Sequence, residues 1–142
     1  VIGRVCKDVP KERVHEVIYG YTLANDITCR ELQKSDGQWA RAKGFDTFCP
    51  LGPWIETDFV PGEQKIITTL NGEVKQSEPL SSMNFKIPQI IEFVSSVMTL
   101  LPGDVILTGT PAGIGPMPAG ATVVVSIEGI GSLSNKVSSR AS

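Results

Sequence analysis

The sequence predicts a β-rich α+β domain, in which a rolled or sandwiched mixed sheet packs against one long amphipathic helix. Short runs of β-prone residues recur along the chain, separated by turns rich in glycine and proline. A single stretch, residues 87–101, carries apolar residues at three- and four-residue steps, the period of an α-helix with one buried face. Because strands do not alternate with helices, the pattern does not favour a parallel sheet of βαβ units.

The size and composition fit one globular domain over residues 1–142. A chain of 142 residues buries roughly 68–70% of its unfolded surface. The hydrophobic fraction of 41% and the charged fraction of 20% are ordinary for such a domain. The net charge of −2 provides no basic surface for nucleic acid or an anionic membrane, and no apolar run reaches the roughly 18 residues of a membrane helix. We therefore expect neither nucleic-acid binding nor membrane insertion.

The three cysteines, Cys6, Cys29 and Cys49, have neither the even number of a disulfide framework nor the spacing of a zinc site. We expect buried or half-buried free thiols and a cytoplasmic location. The chain opens on a β-prone run without a methionine. We therefore also expect it to be an N-terminally incomplete part of a longer protein.

The first third of the chain predicts short elements separated by breaks. The only histidine, His15, falls on the charged side of a short helix that has Pro10 in its first turn, which favours a surface position over a catalytic one. In order, the elements are a strand at 1–6, a short helix at 10–18, a strand at 19–27, a turn or short helix at 28–34, a mobile polar loop at 34–43, an irregular segment held rigid by prolines at 45–53 and a strand at 54–57.

The clearest local pattern lies in the middle of the chain. Two β-prone runs flank Asn71-Gly72, the dipeptide that favours a type I′ hairpin turn. The elements from here on are the hairpin strands at 66–70 and 73–76, a loop at 76–83, the helix at 87–101, a short buried strand at 105–108, a glycine-rich loop at 108–115, strands at 122–128 and 131–137, and a frayed end at 138–142.

Candidate site residues cluster in one short stretch: Asp26, Arg30, Gln33, Lys43 and Asp46. Asp26 has apolar neighbours, where an unpaired carboxylate would be costly to bury, so we expect either a bound cation or an Arg or Lys partner. In a short helix, Arg30 and Gln33 share one face and point into the space beside Asp26. An ordinary ion pair of Arg30 with Glu31 or Asp36 is the alternative.

The run TGTPAGIG at 108–115 combines three glycines with two threonines. Such a loop lets backbone N–H groups approach an anion closely. It fits neither the P-loop nor the dinucleotide-binding pattern, because the lysine is missing and no helix follows. Ligand contact and a plain turn both remain open.

Five runs of the chain, in order, resemble the fumarylacetoacetate hydrolase (FAH) family, in its C-terminal catalytic-domain type. The runs are GYT and NDITCRELQ within 20–33, KGFDTF and PLGPW within 43–54, LNGE at 70–73, LPGD at 101–104 and TGTPAGIG at 108–115. The resemblance extends over residues 1–137. It implies a β-rich roll, a homodimer and a bound divalent cation, Mg²⁺ with Mn²⁺ or Ca²⁺ as alternatives.

The resemblance also implies roles for individual residues. Asp26 resembles the metal-binding aspartate of the family, and Lys43 resembles the lysine at the reacting centre. Arg30 and Gln33 resemble residues that contact the substrate. Thr110 resembles a threonine that holds a substrate carboxylate.

The implied substrates are 2-oxo acids, β-diketo acids or their enols. Examples are ring-opened dioates such as 2-hydroxyhepta-2,4-diene-1,7-dioate, oxaloacetate and acylpyruvates. Their C–C hydrolysis, decarboxylation or isomerisation passes through an enolate, whose charge a hard cation and Lys43 would stabilise. Asp46 follows Lys43 in the matching run and is expected to orient it.

One departure from the family pattern concerns the metal. The family completes its site with two glutamates spaced Glu-x-Glu, and its hydrolases and decarboxylases add a His–Glu pair, all preceding the part that this chain matches. One aspartate is a poor site for a hard divalent cation, so we expect residues 1–142 alone to bind metal weakly. A non-catalytic binding or assembly module is the second hypothesis. A carbohydrate- or nucleotide-binding β-domain, suggested by the glycine loop and two tryptophans, is the third.

Overall fold

The structure is a computed structural model that describes residues 1–139. It confirms the β-rich α+β class. The elements in chain order are a 3₁₀ helix at Lys11–Glu16, β1 at Tyr21–Ala24, α1 at Arg30–Asp36, α2 at Ala40–Lys43, β2 at Leu51–Glu56, β3 at Lys65–Leu70, β4 at Glu73–Pro79, a 3₁₀ helix at Leu80–Ser82, α3 at Ile87–Val97, β5 at Thr122–Ile127 and β6 at Gly131–Lys136. The predicted frayed end lies outside the described residues from position 140 onwards.

The strands form two sheets, one of four strands in the order β4-β3-β5-β6 and one of two strands, β1-β2. Every strand pair among the described residues is antiparallel, where a mixed sheet was expected. Short turns join β3 to β4 and β5 to β6, and a turn of that length can join only antiparallel neighbours.

The predicted hairpin of β3 and β4 is confirmed, including its turn. Asn71 has φ 51° and Gly72 has φ 84°, so both central residues occupy the left-handed region that a type I′ turn requires. Asn71 also ties the turn to β5: its backbone N–H donates to the Thr122 carbonyl at 2.8 Å, and its side-chain oxygen accepts from the Thr122 N–H at 2.9 Å. The turn thus helps to set the register of the larger sheet.

Two apolar clusters form the core. The helix-side cluster packs the inner face of α3 against the first 3₁₀ helix, and its buried members are Ile2, Val9, Val14, Val17, Ile91 and Leu100. The sheet-side cluster joins the small sheet to the large one, and its buried members are Leu23, Val125, Ile127, Ile130 and Leu133. Alternate residues of β5 are buried, as expected for a strand with one face on a core.

Helix α3 is shorter than its apolar pattern predicts, because it ends at Val97 and not at Leu101. The Lys7 ammonium donates to the carbonyl oxygens of Ser95 and Ser96, at 3.2 and 2.8 Å, and so satisfies two carbonyls at the helix end. Beyond it the backbone is extended, and Leu100 pairs with Cys6 in an isolated bridge. Pairing with the N-terminal segment therefore replaces the last helical turn.

Two predicted strands do not form, because no neighbouring strand within residues 1–139 pairs with them. Residues 1–6 make only isolated bridges, one from Ile2 and one from Cys6. Residues 105–108 are not a buried strand: Val105 and Leu107 are exposed, and no ladder reaches them among residues 1–139. Only Ile106, between them, packs against the helix-side cluster. An apolar sequence favours a strand, but a strand also needs a neighbour to accept its hydrogen bonds.

Three predicted irregular segments are partly regular. The expected loop at 76–83 contains the end of β4, which extends to Pro79, and the 3₁₀ helix at Leu80–Ser82. The expected mobile loop at 34–43 contains the end of α1 and all of α2, because a turn with Gly37 at φ 69° lets the chain start a second helix. The expected irregular segment at 45–53 ends in β2, which begins at Leu51. Pro53 is tolerated there because β2 pairs with β1 alone in a two-stranded sheet, and the Gly52–Pro53 peptide bond is cis.

The three cysteines are free, as predicted, but Cys49 is exposed, where a buried or half-buried thiol was expected. Cys6 and Cys29 are half-buried. Within residues 1–139, no helix has the length and apolar character needed to cross a membrane.

We expect Leu23→Ala to lower the free energy of unfolding by about 2–5 kcal/mol, because it opens a cavity where β1 meets the sheet-side cluster. Leu23 is 2% exposed. Leu51→Ala is the matched control, since Leu51 lies on the paired strand β2 and is 46% exposed. Urea unfolding of both variants checks the prediction. An equal loss in the two variants would contradict the assignment of Leu23 to the core.

Candidate active site

A cavity of about 2000 Å³ lies between the two core clusters. Its floor includes apolar side chains of both clusters, among them Ile91 and Val125. Its polar wall contains five residues that the sequence resemblance assigns to the site, Asp26, Arg30, Gln33, Lys43 and Thr110, but not Asp46. The fold thus brings onto one cavity wall residues from two separate parts of the chain.

The centre of the polar wall is an ion pair between Lys43 and Asp26. The Lys43 ammonium donates to Asp26 Oδ2 and, at 3.3 Å, to Thr28 Oγ1. Thr28 Oγ1 donates in turn to the Asp26 carbonyl oxygen at 3.1 Å. The side chains of Lys43 and Asp26 are 29% and 45% exposed. A lysine partner, one of the two alternatives for Asp26, is therefore present.

The loop that carries Asp26 is held by the proline-rich segment opposite it. The backbone N–H of Asn25 donates to the Pro50 carbonyl at 3.2 Å, and that of Ile27 donates to the Phe48 carbonyl at 3.0 Å. These two bonds flank Asp26 on both sides. They support the expectation that the segment acts as a rigid wall for the site residues.

Lys43 is placed by the packing of α2 against the start of α1. Ala42, the residue before it, is fully buried, and its carbonyl accepts a hydrogen bond from the Cys29 N–H at 2.9 Å. The Lys43 ammonium also lies 6.0 Å from the centre of the Trp39 ring, a distance at which a cation is attracted to an aromatic face. Backbone bonding and packing therefore aim Lys43 at Asp26.

A second ion pair joins the ends of the two short helices. Arg41 on α2 donates two hydrogen bonds to Asp36 on α1, at 2.7 and 2.6 Å. These hydrogen bonds, with a further one from Ser35, hold the pKa of Asp36 below its ordinary value of 3.8. The pair fixes the angle between the helices that carry Arg30 and Lys43.

Arg30 and Gln33 share one face of α1, as predicted, and are bonded to each other. The Arg30 guanidinium donates to Gln33 Oε1 at 2.7 Å. The alternative of an Arg30–Asp36 ion pair is wrong, since Asp36 bonds to Arg41, and the ion pairs of the described residues do not join Arg30 to Glu31. The guanidinium thus lines the cavity next to an amide, and no carboxylate of residues 1–139 forms an ion pair with it.

Thr110 reaches the cavity from the glycine-rich loop. Its hydroxyl accepts a hydrogen bond of 2.8 Å from the side-chain amide of Gln76 on β4. The same amide donates to the Pro111 carbonyl at 2.8 Å. The loop is therefore attached to the large sheet at the edge of the cavity.

Sequence reasoning missed two polar residues of this wall and misplaced a third. Thr28 could have been found, because a threonine two residues after an aspartate commonly bonds back to the local backbone. Gln76 had no such signal, since its partner lies 34 residues away. Asp46 does not orient Lys43: it is exposed, and among residues 1–139 the Lys43 ammonium bonds to Asp26 and Thr28. His15 is exposed, as predicted.

The donor set fits a divalent cation only in part. Among the described residues, no three His, Cys, Asp or Glu side chains come together in a way that could hold a metal ion. Asp26 offers one carboxylate, and Lys43 already binds its Oδ2. Hard cations such as Mg²⁺ and Ca²⁺ require six or more oxygen ligands, with water or several protein groups supplying them. Residues 1–139 therefore do not form a complete metal site.

The sequence matches the family described as "Fumarylacetoacetate (FAA) hydrolase C-terminal" over residues 1–138. The chain belongs to that family. The resemblance that its sequence runs indicate is thus confirmed.

The chain is similar to about half of several longer proteins. "Protein Rv2993c" of Mycobacterium tuberculosis is 56% identical over 140 residues, which are 96% of this chain and 53% of the relative. The solved 2-hydroxyhepta-2,4-diene-1,7-dioate isomerase of Mycobacterium marinum is 55% identical with a TM-score of 0.97, over 100% of this chain and 56% of that one. The chain spans about half the length of the curated relatives it matches.

A more distant solved relative contains ligands. The maleylpyruvate hydrolase of Sphingobium sp. SYK-6, in complex with manganese(II) and pyruvate, is 34% identical with a TM-score of 0.89, over 97% of this chain and 51% of that one. Hydrolases and isomerases of small molecules thus share this fold at high structural similarity. This chain shares the fold of the matching half of each of these proteins.

We expect Arg41→Gln to destabilise the protein in a pH-dependent way. The pKa of Asp36 is lower in the folded chain than in the unfolded one, so its carboxylate stabilises the fold above pH 3.8 and ceases to do so as the pH falls through the folded pKa. The wild type and the variant should differ most near pH 7 and converge as the pH falls below 3.8.

Urea unfolding at a series of pH values measures this difference. Lys34→Gln is the control, because it removes a positive charge from α1 that forms no ion pair within the described part of the chain. Its effect should not depend on pH in this range. A constant difference between wild type and Arg41→Gln would refute the pairing of Arg41 with Asp36 in solution.

Proposed function

We propose that the protein is a divalent-metal-dependent enzyme that acts on 2-oxo or enol dicarboxylic acids or on β-diketo acids. The reaction is a C–C hydrolysis, a decarboxylation or an isomerisation through an enolate, as for a 2-hydroxyhepta-2,4-diene-1,7-dioate isomerase. Residues 1–142 form a single catalytic domain in this proposal. The location we propose is the cytoplasm, where cysteines stay reduced.

The observation that carries the proposal is the Lys43–Asp26 pair on the wall of a cavity that Arg30 and Thr110 also line. In this pair the positively charged Lys43 ammonium is held in position by Asp26 and Thr28 before any ligand binds. The guanidinium and the hydroxyl are donors suited to a carboxylate. A ligand with a carboxylate next to a carbonyl group can use both features together. Pyruvate in the solved maleylpyruvate hydrolase is a ligand of that kind.

The roles of the residues follow from these positions. Arg30, held by Gln33, and Thr110 would bind the substrate carboxylate and orient the neighbouring carbonyl. Lys43 would then lie beside the oxygen on which negative charge develops as the enolate forms. A preorganised cation at that position stabilises the transition state more than the ground state. Asp26 and Thr28 keep the ammonium in place for this task.

We propose Asp26 as one ligand of a divalent cation, with Mg²⁺ as the expected ion and Mn²⁺ or Ca²⁺ as alternatives. Manganese(II) in the solved maleylpyruvate hydrolase supports a divalent ion in this family. Among the hydrogen bonds of residues 1–139, none involves Asp26 Oδ1, so one carboxylate oxygen remains for a cation. The other ligands would have to come from groups other than the described acidic side chains.

A non-catalytic binding or assembly module is the second candidate. It is favoured by the incomplete donor set around Asp26. The two candidates differ in whether added metal produces turnover or leaves the protein as a ligand-binding domain only.

We expect Lys43→Met to lower kcat by about 10²–10³-fold, the usual loss when one preorganised stabiliser of an oxyanion is removed. Asp26→Ala should abolish the metal-dependent activity. Turnover of oxaloacetate, acetylpyruvate and 2-hydroxyhepta-2,4-diene-1,7-dioate with Mg²⁺ or Mn²⁺ measures both effects, and titration with Mn²⁺ measures the affinity for metal.

Lys34→Met is the matched control, because Lys34 is exposed and does not line the cavity. It should retain wild-type turnover. The enzyme proposal fails if none of these substrates is turned over with either metal, and the module becomes the better account. The site assignment fails if Asp26→Ala binds Mn²⁺ and turns over substrate like the wild type.

We propose that the protein is a homodimer. The outer face of α3 supports an interface there, since Phe93 and Val97, one helical turn apart, are 70% and 62% exposed. Apolar side chains exposed side by side commonly mark a protein–protein contact. Phe93→Glu should shift the protein from dimer to monomer in analytical ultracentrifugation. Glu92→Gln, an exposed neighbour on the same helix, should leave the dimer intact; a dimer that survives Phe93→Glu would place the interface elsewhere.

A further inference from the structure

Gln76 lines the cavity but lies outside the sequence runs that resemble the family. The comparisons assign it no role. It lies on β4, half-buried, and its amide nitrogen bonds to Thr110 Oγ1 and to the Pro111 carbonyl, both at 2.8 Å. These contacts join the large sheet to the glycine-rich loop. We propose that Gln76 is a positioning residue that makes the Thr110 hydroxyl a hydrogen-bond donor towards the cavity, and so selects a ligand with an anionic acceptor there. The inference rests on the proposed function.

The chemistry of the Pro111 contact fixes the orientation of the amide. A backbone carbonyl can only accept a hydrogen bond, so the amide atom that lies 2.8 Å from it must be the nitrogen. The same nitrogen contacts Thr110 Oγ1, and an amide nitrogen donates but does not accept. The Thr110 hydroxyl is therefore the acceptor in this pair.

A hydroxyl that accepts on one side still has its own proton to donate. Among the hydrogen bonds of residues 1–139, none is donated by Thr110 Oγ1. Thr110 is exposed and lines the cavity. The free O–H is thus available to a ligand in the cavity, and a carboxylate oxygen satisfies it better than a group that itself must donate.

The backbone of the loop is fixed against β4 at the same place. Gly113 has φ 104°, and a β-carbon built on it would lie 1.9 Å from the Lys75 carbonyl oxygen. Only glycine allows the two backbones to approach so closely. Gly113 therefore sets where the loop lies, whereas Gln76 sets the polarity of the hydroxyl that the loop presents.

The test compares pyruvate with pyruvamide, which replaces the carboxylate by a neutral group that also donates hydrogen bonds. Binding of each to the purified protein with Mn²⁺ is measured by calorimetry. Gln76→Met has nearly the same shape but no donor, so the Thr110 hydroxyl is free to rotate. The ratio of pyruvate affinity to pyruvamide affinity should fall by about three- to tenfold, because the rotating hydroxyl can still donate to the carboxylate but can now also accept one neutral hydrogen bond from the pyruvamide nitrogen.

Further variants distinguish an effect on the direction of the Thr110 hydrogen bond from an effect on the position of the loop. Thr110→Val should lower the ratio to a similar extent, and adding Gln76→Met to it should change the ratio no further, because both act through one hydroxyl. Gly113→Ala displaces the loop and should weaken both ligands alike, with the ratio unchanged. Ser77→Ala, an exposed neighbour on β4, should leave both affinities at wild-type values.

Three other results would contradict, in turn, the proposed function, the role of Thr110 and the role of Gln76. A wild type that binds neither ligand with Mn²⁺ overturns the proposed function and this inference with it. Normal pyruvate binding that Thr110→Val does not alter overturns the role of Thr110 while the proposed function stands. If Gln76→Met weakens both ligands equally, as Gly113→Ala does, Gln76 only places the loop and the inference is wrong.

Discussion

The candidate site depends on one interaction, the ion pair between Lys43 and Asp26. A lysine and an aspartate separated by 16 residues can meet only if the chain between them folds back on itself. The α1–α2 pair provides that reversal, with Ala42 buried beneath it and Asp36 bonded to Arg41 across it. The charged pair is partly exposed on the cavity wall, so water weakens the attraction between the two charges. Its main effect is therefore to hold the two side chains in position, and its contribution to stability is small.

Another part of the cavity wall comes from the distant glycine-rich loop, and here the sheet decides the geometry. The hairpin turn at Asn71 bonds to the start of β5 and sets the pairing of Glu73 and Val74 with β3, and a one-residue register shift beyond them pairs Gln76 with Thr68. That register places Gln76 where its amide reaches Thr110. A shift of the strand by one residue would turn Gln76 to the other face of the sheet. Local turn chemistry is thereby linked to the hydrogen bonding of the Thr110 hydroxyl at the cavity.

Much of the fold was predictable because it is encoded locally. The Asn71-Gly72 turn, the β-prone run of β5 and the helical period of α3 are properties of neighbouring residues, and all three appear in the structure. The errors have a common cause. Within residues 1–139, residues 105–108 have a strand-like sequence but no neighbouring strand. Helix α3 ends early because Lys7 binds its last carbonyls and Cys6 pairs with Leu100 beyond it. Partners that are distant in sequence leave no local pattern.

By itself the sequence determined the class of fold, the family and which residue types gather at positions 26–43, because short-range periodicity and matching runs are written in the order of the residues. Only the tertiary structure decided which side chain each of these residues contacts. Among the basic side chains that Asp26 could have met, packing of α2 brings Lys43 to it. Gln76 became part of the wall through a bond across 34 residues. Long-range pairing is settled by burial and backbone hydrogen bonding over the whole domain, which no local segment contains.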